Sequence, residues 1–489
     1  MPLLNTDSLP TLAALGVQVP SFDRGAVRTG VVHFGPGAFH RVHQACYLDS
    51  ALASDSRWGI CEVALHSAGV RDALAPQEWL YTIAVLDEQS SFRVIGAVMG
   101  ALVAPESPQA VLDRLVAPDT RLITATITEK GYCLTKEGGL DAAHPDIAHD
   151  LQQPHAPKSF VGYLSRALQL RHERGLAAPN VVSCDNLADN GKRLRRAVLE
   201  FAQRVSPSIL PWLENEVSFP STMVDSITPA TDDALRNRVA ESLGVTDRWP
   251  VQREFFSQWV IEDAMRGPQP DWAAVGVTVT NDVAGYERAK LRLLNGAHST
   301  LAYTGRLAGY DTVATAMTDP ALSSFVRDLM RSEIAPSIKA PTGFSVATYI
   351  DTVLRRFRNP AIRHLLAQIA WDGSQKLPFR TIATMIDNLA AGRSIEKLSV
   401  PLAAWFHFVQ RQIASGEKLV DPLAERLGNI AARCTGAASD DVGLFLALDT
   451  VFPAVLAHNA TVRAALERAY ARLGEVKGPK DLPAALTRA

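Results

Sequence analysis

The chain has 489 residues, and its 49 Lys and Arg residues against 51 Asp and Glu residues give a formal net charge of −2. This balance excludes a basic nucleic-acid surface built from overall composition. Hydrophobic residues make up 47% and charged residues 20%, which excludes an intrinsically disordered chain. The length predicts about two or three folded domains.

The N-terminus and the cysteines indicate the compartment. The first residues lack a basic segment followed by an apolar core, and no window holds the roughly 18 apolar residues of a membrane-spanning helix. The five cysteines are scattered and never spaced as C-x-x-C, and no H-E-x-x-H occurs, which favours neither disulfides nor a zinc site. We expect a cytoplasmic protein that binds no metal, membrane or nucleic acid.

The first half of the chain alternates β-rich runs with amphipathic segments. Strands are predicted at 30–34, 59–65, 122–128 and 180–184, and helices at 107–116, 159–174 and 191–205. This alternation is typical of the α/β class, with a mostly parallel sheet between helices. The runs 79–86 and 91–98 are too close for a helical crossover and predict an antiparallel hairpin inserted into the pattern.

The second half has an almost entirely helical period. It begins after Asp282 with YERAKLRLLNGAHSTLAYTGRLAGY, and segments such as 349–357 and 441–456 continue it. We therefore predict two domains, an α/β domain at 1–281 and an all-α domain at 282–489.

The first predicted strand runs directly into GPGAFHR, residues 35–41. Glycines at 35 and 37 allow a tight turn close to a pyrophosphate, whose charge the following helix N-terminus would stabilise. The third glycine of G-x-G-x-x-G is absent, so a plain strand-to-helix turn stays an alternative. The second strand ends in LHSAG without a carboxylate for a ribose 2′-hydroxyl, which leaves both NAD and NADP open.

A second cluster lies in KLRLLNGAH. At 100° per residue, Asn295, His298 and Glu287 lie about 140°, 80° and 60° around a helix from Lys290, in one sector with leucines. An ammonium in such an apolar wall is desolvated, which favours the neutral amine that a general base needs. A salt-bridged surface lysine is the alternative.

Three polar loops, TEKGY, SCDNL and MVDSI, follow or end β-rich runs, where an open α/β sheet binds its ligand. Turn and cap chemistry is the alternative for each. Taken together and in this order, GPGAFHRVHQA, TITEKGYC, SCDNLADNG, STMVDSITP, QWVIED, K-x4-N-x2-H and DGSQKLP resemble the polyol-specific long-chain dehydrogenase/reductase family, also called the mannitol dehydrogenase family. The likeness runs from about residue 28 to beyond residue 460.

The resemblance implies a Rossmann-type N-terminal domain, a mainly α-helical C-terminal domain, an active site in the cleft between them, and metal-independent hydride transfer between a nicotinamide and a secondary alcohol carbon. It also implies a monomer that acts on a small sugar acid or polyol. The implied roles are a general acid/base (Lys290), oxyanion donors (Asn186, Asn295), a ligand of a neighbouring hydroxyl (His298), other substrate contacts (Asp225, Lys376), a gate on the proton route (Glu287) and cofactor contacts (Phe34, Gly35, Gly37, Ala38, Phe39, Glu129).

Within the family, WGICEV, TEKGYC, APKS and DGSQKLP-R are more similar to members that reduce D-fructuronate to D-mannonate. Lys130 would then hold the uronate carboxylate, with Arg380 as a second candidate. The alternative within the family is a mannitol or arabinitol 2-dehydrogenase. A non-catalytic dinucleotide-binding redox sensor is the alternative from another class, but it does not explain why Lys290, Asn295 and His298 occur together with Asn186.

Overall fold

A computed structural model describes residues 1–486, and the chain folds into two compact units, Met1–Ala284 and a second unit that begins at Gly285. All the strands found among residues 1–486 lie in the first unit. They are β1 Val31–Phe34, β2 Ile60–Ala64, β3 Tyr81–Leu86, β4 Ser91–Ile95, β5 Val98–Val103, β6 Leu122–Ala125, β7 Asn180–Ser183, β8 Thr222–Asp225, β9 Val251–Glu254, β10 Gln258–Glu262 and β11 Thr278–Thr280.

Five strands form an all-parallel sheet in the order β5-β2-β1-β6-β7. The strand order reverses direction at β1, because the chain first builds outward through β2 and β5 and then continues on the other side with β6. Open α/β sheets bind ligands at such a switch point, beyond the carboxyl ends of the strands. The predicted α/β class and parallel sheet are confirmed.

The described α-helices of the first unit alternate with its strands along the chain. They are α1 Leu9–Ala14, α2 Ala38–Val42, α3 Gln44–Ala51, α4 Gly69–Leu74, α5 Pro108–Val116, α6 Thr128–Gly131, α7 Pro145–Gln152, α8 Phe160–Glu173, α9 Asn190–Val205, α10 Leu210–Asn215 and α11 Asp233–Leu243. Local sequence sets their starts: α8 begins where the Ser159 hydroxyl accepts the Gly162 N–H at 2.9 Å. Alternate residues of β1 enter cores on opposite faces, with Val31 in one and Val32 and Phe34 in the other.

One expectation about strands is wrong in detail, and the predicted antiparallel hairpin is confirmed. The third predicted strand ends at Ala125, because Thr128 adopts φ 65° and begins the helical turn α6. The hairpin of β3 and β4 exists, but it is not part of the parallel sheet; β3 pairs instead with β9, far along the chain. Likewise β8 belongs to a separate sheet, in the order β11-β10-β8.

The described part of the second unit contains helices and no strands. The α-helices are α12 Val283–Ala289, α13 Gly296–Leu307, α14 Val313–Met317, α15 Pro320–Leu329, α16 Val346–Arg358, α17 Leu366–Ile369, α18 Gly373–Leu377, α19 Ala383–Ala390, α20 Glu396–Ala414, α21 Ala424–Ala431, α22 Ala438–Leu446, α23 Ala454–Ala457, α24 Ala460–Gly474 and α25 Leu482–Leu486. The helix predicted across 441–456 is interrupted between α22 and α23. Within residues 1–486, no helix has the length and apolarity needed to cross a membrane.

Three π-helical segments occur in the second unit: π1 Lys290–Asn295, π2 Met330–Ile334 and π3 Pro378–Ile382. The first joins α12 to α13 without a break, so the long helix predicted from the sequence is present but carries one widened turn. Such turns are rare and frequently mark functional sites. Both π2 and π3 pack against π1.

Candidate active site

The turn after β1 requires its first glycine. Gly35 has φ +89°, and a Cβ there would lie 2.1 Å from the Thr126 carbonyl oxygen, so a larger residue would clash with the chain after β6. Gly37 is different, because a Cβ at this position would have its nearest neighbouring atom 4.0 Å away. Its backbone is therefore open to a close approach by a ligand.

The helix after this turn is shorter than the sequence suggests. It covers only Ala38–Val42, and the chain bends at His43, with ψ −88°, before α3 begins. The Phe39 ring stacks on the His43 imidazole, with 4.9 Å between centroids. Phe34, the last residue of β1, is fully buried. Of the predicted cofactor residues, Phe34 thus supports the turn, whereas Gly37 and Ala38 form its open end.

A cavity of about 440 Å³ lies beyond the carboxyl ends of β2 and β5. Its walls include His66, Lys158, Asp146 and the buried Tyr163. This is where a dinucleotide fold holds the adenosine half of its cofactor. The turn, the open Gly37 backbone and the cavity together fit a nicotinamide dinucleotide.

Asp185 organises the loops after β6 and β7. Its carboxylate accepts the N–H groups of Ile127 and Thr128, both at 2.9 Å, and the Tyr132 hydroxyl at 2.7 Å. Burial raises the pKa of this carboxyl, and these hydrogen bonds oppose the rise. Asp185 therefore fixes the exposed turn that carries Glu129 and Lys130 next to its own neighbour, Asn186.

The third polar loop lies on another sheet. Asp225 is the last residue of β8 and is 5% exposed. Asn190 connects β8 to the chain after β7, because its side-chain amide donates to the Thr222 carbonyl at 3.0 Å. The Thr222 hydroxyl in turn donates to the Ser183 carbonyl at 2.6 Å. The expectation that all three loops follow strands of one parallel sheet is therefore wrong for Asp225.

In the second unit, Lys290 and Asn295 are the first and last residues of π1, and Lys290 is 8% exposed. The predicted angle of about 140° assumed an α-helix. A π-helix bonds residue i to residue i+5, so each residue advances by less than 100° and Asn295 lies nearer the side of Lys290 than predicted. Glu287 lies one turn earlier, on α12.

His298 is buried on α13 with an unsatisfied ring nitrogen. Its ring lies 4.5 Å from that of Phe357 and 4.9 Å from that of His364 between centroids. No hydrogen bond reaches its Nε2 within residues 1–486. Burial, and then the neighbouring His364, hold the pKa of His298 well below its usual value, so the imidazole is neutral. A neutral ring with an unfilled polar position is suited to bind a hydroxyl.

Two of the predicted substrate contacts are cations of the second unit, Arg380 and Lys376. On π3, Arg380 donates from Nη1 to the Ser299 hydroxyl at 3.2 Å and forms no ion pair with a described carboxylate. Burial lowers its pKa, and its charge contributes to the lowered pKa of His298. Lys376 on α18 donates to the Ile369 carbonyl at 3.4 Å, and its pKa is lowered by burial and then by Arg380.

Sequence reasoning missed three supporting residues. Asp185 stood in the quoted motif SCDNLADNG, and its place after a strand could have singled it out. Ser299 directly follows His298 but has no pattern of its own. His364 lies 66 positions after His298 in the sequence, so only the fold brings their rings together. Within residues 1–486, no three His, Cys, Asp or Glu side chains converge as a metal site would require.

Comparison with known proteins gives the family. The mannitol dehydrogenase Rossmann domain matches residues 29–274, and the mannitol dehydrogenase C-terminal domain matches residues 282–474. The D-mannonate oxidoreductase of Escherichia coli (strain K12) is 41% identical over 96% of this chain and 98% of its own. A mannitol 2-dehydrogenase of Phaeosphaeria nodorum is 38% identical over 87% of this chain and 76% of its own.

Solved structures agree with this assignment. The mannitol 2-dehydrogenase of Pseudomonas fluorescens, in a ternary complex with NAD and D-mannitol, is 35% identical with a TM-score of 0.81, covering 99% of this chain and all of its own. A substrate-free D-sorbitol dehydrogenase is 29% identical with a TM-score of 0.89 over the same shares. The resemblance and the fold class predicted from the sequence are confirmed. The chain belongs to the mannitol dehydrogenase family and is an oxidoreductase that acts on the CH–OH group of its donors.

Proposed function

We propose that this oxidoreductase is a fructuronate reductase, which interconverts D-fructuronate and D-mannonate with NADH. The observation that carries the proposal is Arg380, a partly buried guanidinium beside Ser299 with no carboxylate partner among the described residues. A buried cation without a counter-ion is costly unless a ligand supplies the anion. A uronate has such a carboxylate, whereas mannitol and fructose do not.

Arg380 fits this role better than the exposed Lys130. Guanidinium binds a carboxylate through two parallel hydrogen bonds, and a partly desolvated position strengthens them. Lys130 lies on the exposed turn α6, where solvent screens its charge. In this proposal Lys130 is a secondary contact. The 41% identity to a D-mannonate oxidoreductase supports the same substrate.

The proposed chemistry uses groups of this chain to move the proton and to hold the charge. When bound, the nicotinamide supplies the hydride. In reduction the Lys290 ammonium donates its proton to the alkoxide oxygen. In oxidation the neutral Lys290 amine accepts the proton of the substrate hydroxyl. The amides of Asn186 and Asn295 donate to that oxygen, and removal of one such donor typically costs on the order of 10² to 10³ in rate. Glu287 would pass the proton between Lys290 and solvent.

The remaining polar side chains would orient the substrate. The unfilled Nε2 of His298 is available to a hydroxyl next to the reacting carbon. Because its imidazole is neutral, it can position that hydroxyl without adding a second charge beside Lys290. Asp225 and Lys376 would bind hydroxyls further along the sugar chain.

We propose NAD as the cofactor, held by the turn at Gly35 and Gly37. Support comes from the structural relative that was solved with NAD. Because the second strand is followed by His66 and Ser67 rather than by a carboxylate, nothing there repels a 2′-phosphate, so NADP stays an alternative. The five unpaired cysteines suit a reducing compartment, and we propose a cytoplasmic monomer.

The test compares kcat/KM for D-fructuronate, D-fructose and D-mannitol. The two keto sugars are measured with NADH and with NADPH, and D-mannitol with NAD and with NADP. We expect a clear preference for D-fructuronate. A preference for the uncharged sugars would replace the proposal with a mannitol or arabinitol 2-dehydrogenase, which the 38% identical relative represents.

A second variant separates the enzyme from the redox sensor. Lys290→Ala should lose turnover on every substrate and still bind NADH, as followed by fluorescence titration. If the parent protein shows no turnover on any substrate but binds NADH and changes its hydrodynamic radius on binding, the result would instead support the non-catalytic redox sensor.

A further inference from the structure

The amino ends of the parallel strands carry arginines. Arg28 and Arg57 precede β1 and β2, and Arg121 directly precedes β6. The backbone of Arg266 is held beside the start of β7, because the Asn180 side chain bonds to both its N–H and its carbonyl, at 2.8 and 2.9 Å. Backbone contacts with the sheet therefore fix the positions from which these arginine side chains project. This edge is opposite to the one that carries the Gly35 turn.

Three of these arginines have no counter-ion. Within residues 1–486, Arg28, Arg121 and Arg266 make no side-chain hydrogen bond or ion pair. Arg57 is paired with Asp55 at 2.7 Å. The fully buried Arg171 adds a further positive charge nearby, because its guanidinium donates only to backbone carbonyls, such as that of Ala177 at 2.7 Å.

Two adjoining cavities open among these arginines. The larger, of about 590 Å³, has apolar walls that include Leu176 and Trp212, and Arg121 and Arg266 lie at its border. The smaller, of about 100 Å³, lies between Arg28, Arg57 and Arg121. Arg121 and Pro268 belong to both cavities. One carboxylate lines each, Glu216 in the larger and Asp119 in the smaller, so cations outnumber anions at this edge.

A purely structural role explains only part of this cluster. The carboxyl ends of the flanking helices point to the amino edge of a parallel sheet, and their partial negative charge favours cations. Arg171 satisfies that requirement by donating to the carbonyls of Leu115, in the last turn of α5, and of Ala117, just after it. Arg28, Arg121 and Arg266 bond no helix carbonyl, so their charges are available to a ligand.

We propose that this edge is a second ligand site that binds a nucleoside monophosphate. The small cavity fits a phosphate group held by the guanidiniums of Arg28 and Arg121, which are well suited to bidentate contact with an oxyanion. The large cavity fits a base against the indole of Trp212, with Arg266 at its border. The site is separate from the dinucleotide site, because it lies at the opposite ends of the same strands.

The experiment is calorimetric titration of the full chain with AMP while the dinucleotide site is saturated with NADH, so that AMP cannot bind there. Adenosine and inorganic phosphate are titrated in the same way. We expect AMP to bind at least tenfold more tightly than either fragment. Arg121→Gln should weaken AMP binding at least tenfold and leave the affinity for NADH unchanged.

Arg433→Gln is the matched control, because Arg433 is an exposed arginine of the second unit, and it should leave AMP binding unchanged. If Arg121→Gln does not fold, Arg266→Gln serves in its place, since that side chain is exposed. The proposal is overturned if AMP does not bind in the presence of NADH, if phosphate binds as tightly as AMP, or if the folded arginine variants bind AMP like the parent. Each readout is binding, so it is independent of the substrate proposed above.

Discussion

Replacing Arg380 tests the proposed substrate most directly. Arg380→Gln keeps a side chain able to donate to the Ser299 hydroxyl, which the guanidinium contacts at 3.2 Å, but removes the positive charge. Because Arg380 has no carboxylate partner among residues 1–486, the substitution leaves no protein anion unpaired. Any loss should therefore come from the substrate carboxylate rather than from damage to the protein.

The magnitude follows from the kind of bond lost. A hydrogen bond to a charged group contributes about 1.5–3 kcal/mol, and loss of one partner of a buried charged pair costs about 2–5 kcal/mol. For a partly buried guanidinium with two N–H groups on one carboxylate, we expect a cost of about 2–4 kcal/mol. At about 1.4 kcal/mol per factor of ten, kcat/KM for D-fructuronate should fall about 30- to 1000-fold.

The assay is the oxidation of NADH at 340 nm with D-fructuronate and D-fructose, measured for the parent, Arg380→Gln and Arg380→Lys. In Arg380→Gln, kcat/KM for D-fructuronate should fall by this factor, whereas kcat/KM for D-fructose should change less than about threefold. Arg380→Lys should recover part of the loss on D-fructuronate. Equal losses on both sugars with an unchanged Tm would show that Arg380 acts on the reaction and not on the carboxylate. An unchanged kcat/KM for D-fructuronate in Arg380→Gln would favour Lys130 as the residue that binds the carboxylate.

Two further substitutions test the first unit. Gly35→Ala places a Cβ 2.1 Å from the Thr126 carbonyl oxygen in a backbone at φ +89°. The substitution should therefore lower the free energy of unfolding by at least about 2 kcal/mol, measured by urea unfolding, and weaken NADH binding at least tenfold, measured by fluorescence titration. Unchanged values in both measurements would contradict this. Burial raises the pKa of Glu62 from 4.5 to about 7, so the folded chain keeps a proton at this carboxyl that the unfolded chain releases, and the contribution of Glu62 to stability falls as pH rises through that window. Glu62→Gln removes this loss, and its stability relative to the parent should rise by up to about 3 kcal/mol from pH 5 to pH 8 in urea unfolding, whereas a pH-independent difference would show that Glu62 does not titrate there.

Strands of the parallel sheet could be predicted from local sequence because both of their faces are buried. Val31, Val32 and Phe34 make three of the four residues of β1 apolar, between two cores, and a glycine-containing turn marks its end. The pairing of β3 with β9 could not be predicted, because Ile83 and Val251 are far apart in the sequence and many apolar runs could satisfy either. Non-local pairing is decided by the whole core rather than by the strand itself.

The candidate site was predictable in its residues but not in its geometry. Lys290, Asn295 and His298 were identified by type and spacing together with the family resemblance. Their relative directions depend on π1, and no residue type in KLRLLN favours a π-helix over an α-helix. The widened turn instead lies where the fold packs π1 against both π2 and π3.

Gly296, the residue after π1, shows how this packing acts. A Cβ at this position would lie 3.1 Å from the Arg380 carbonyl oxygen on π3 and 3.8 Å from the Ile334 Cδ1 on π2, so the start of α13 approaches π3 closely, and a larger residue would have to shift the π3 backbone by a few tenths of an ångström. The close approach ties the backbone that carries Arg380 to the end of the turn that carries Lys290 and Asn295. The same contact therefore links the segment of the proposed proton donor to the segment of the proposed carboxylate anchor. Because the contact joins segments more than 80 residues apart, no local pattern could have revealed it.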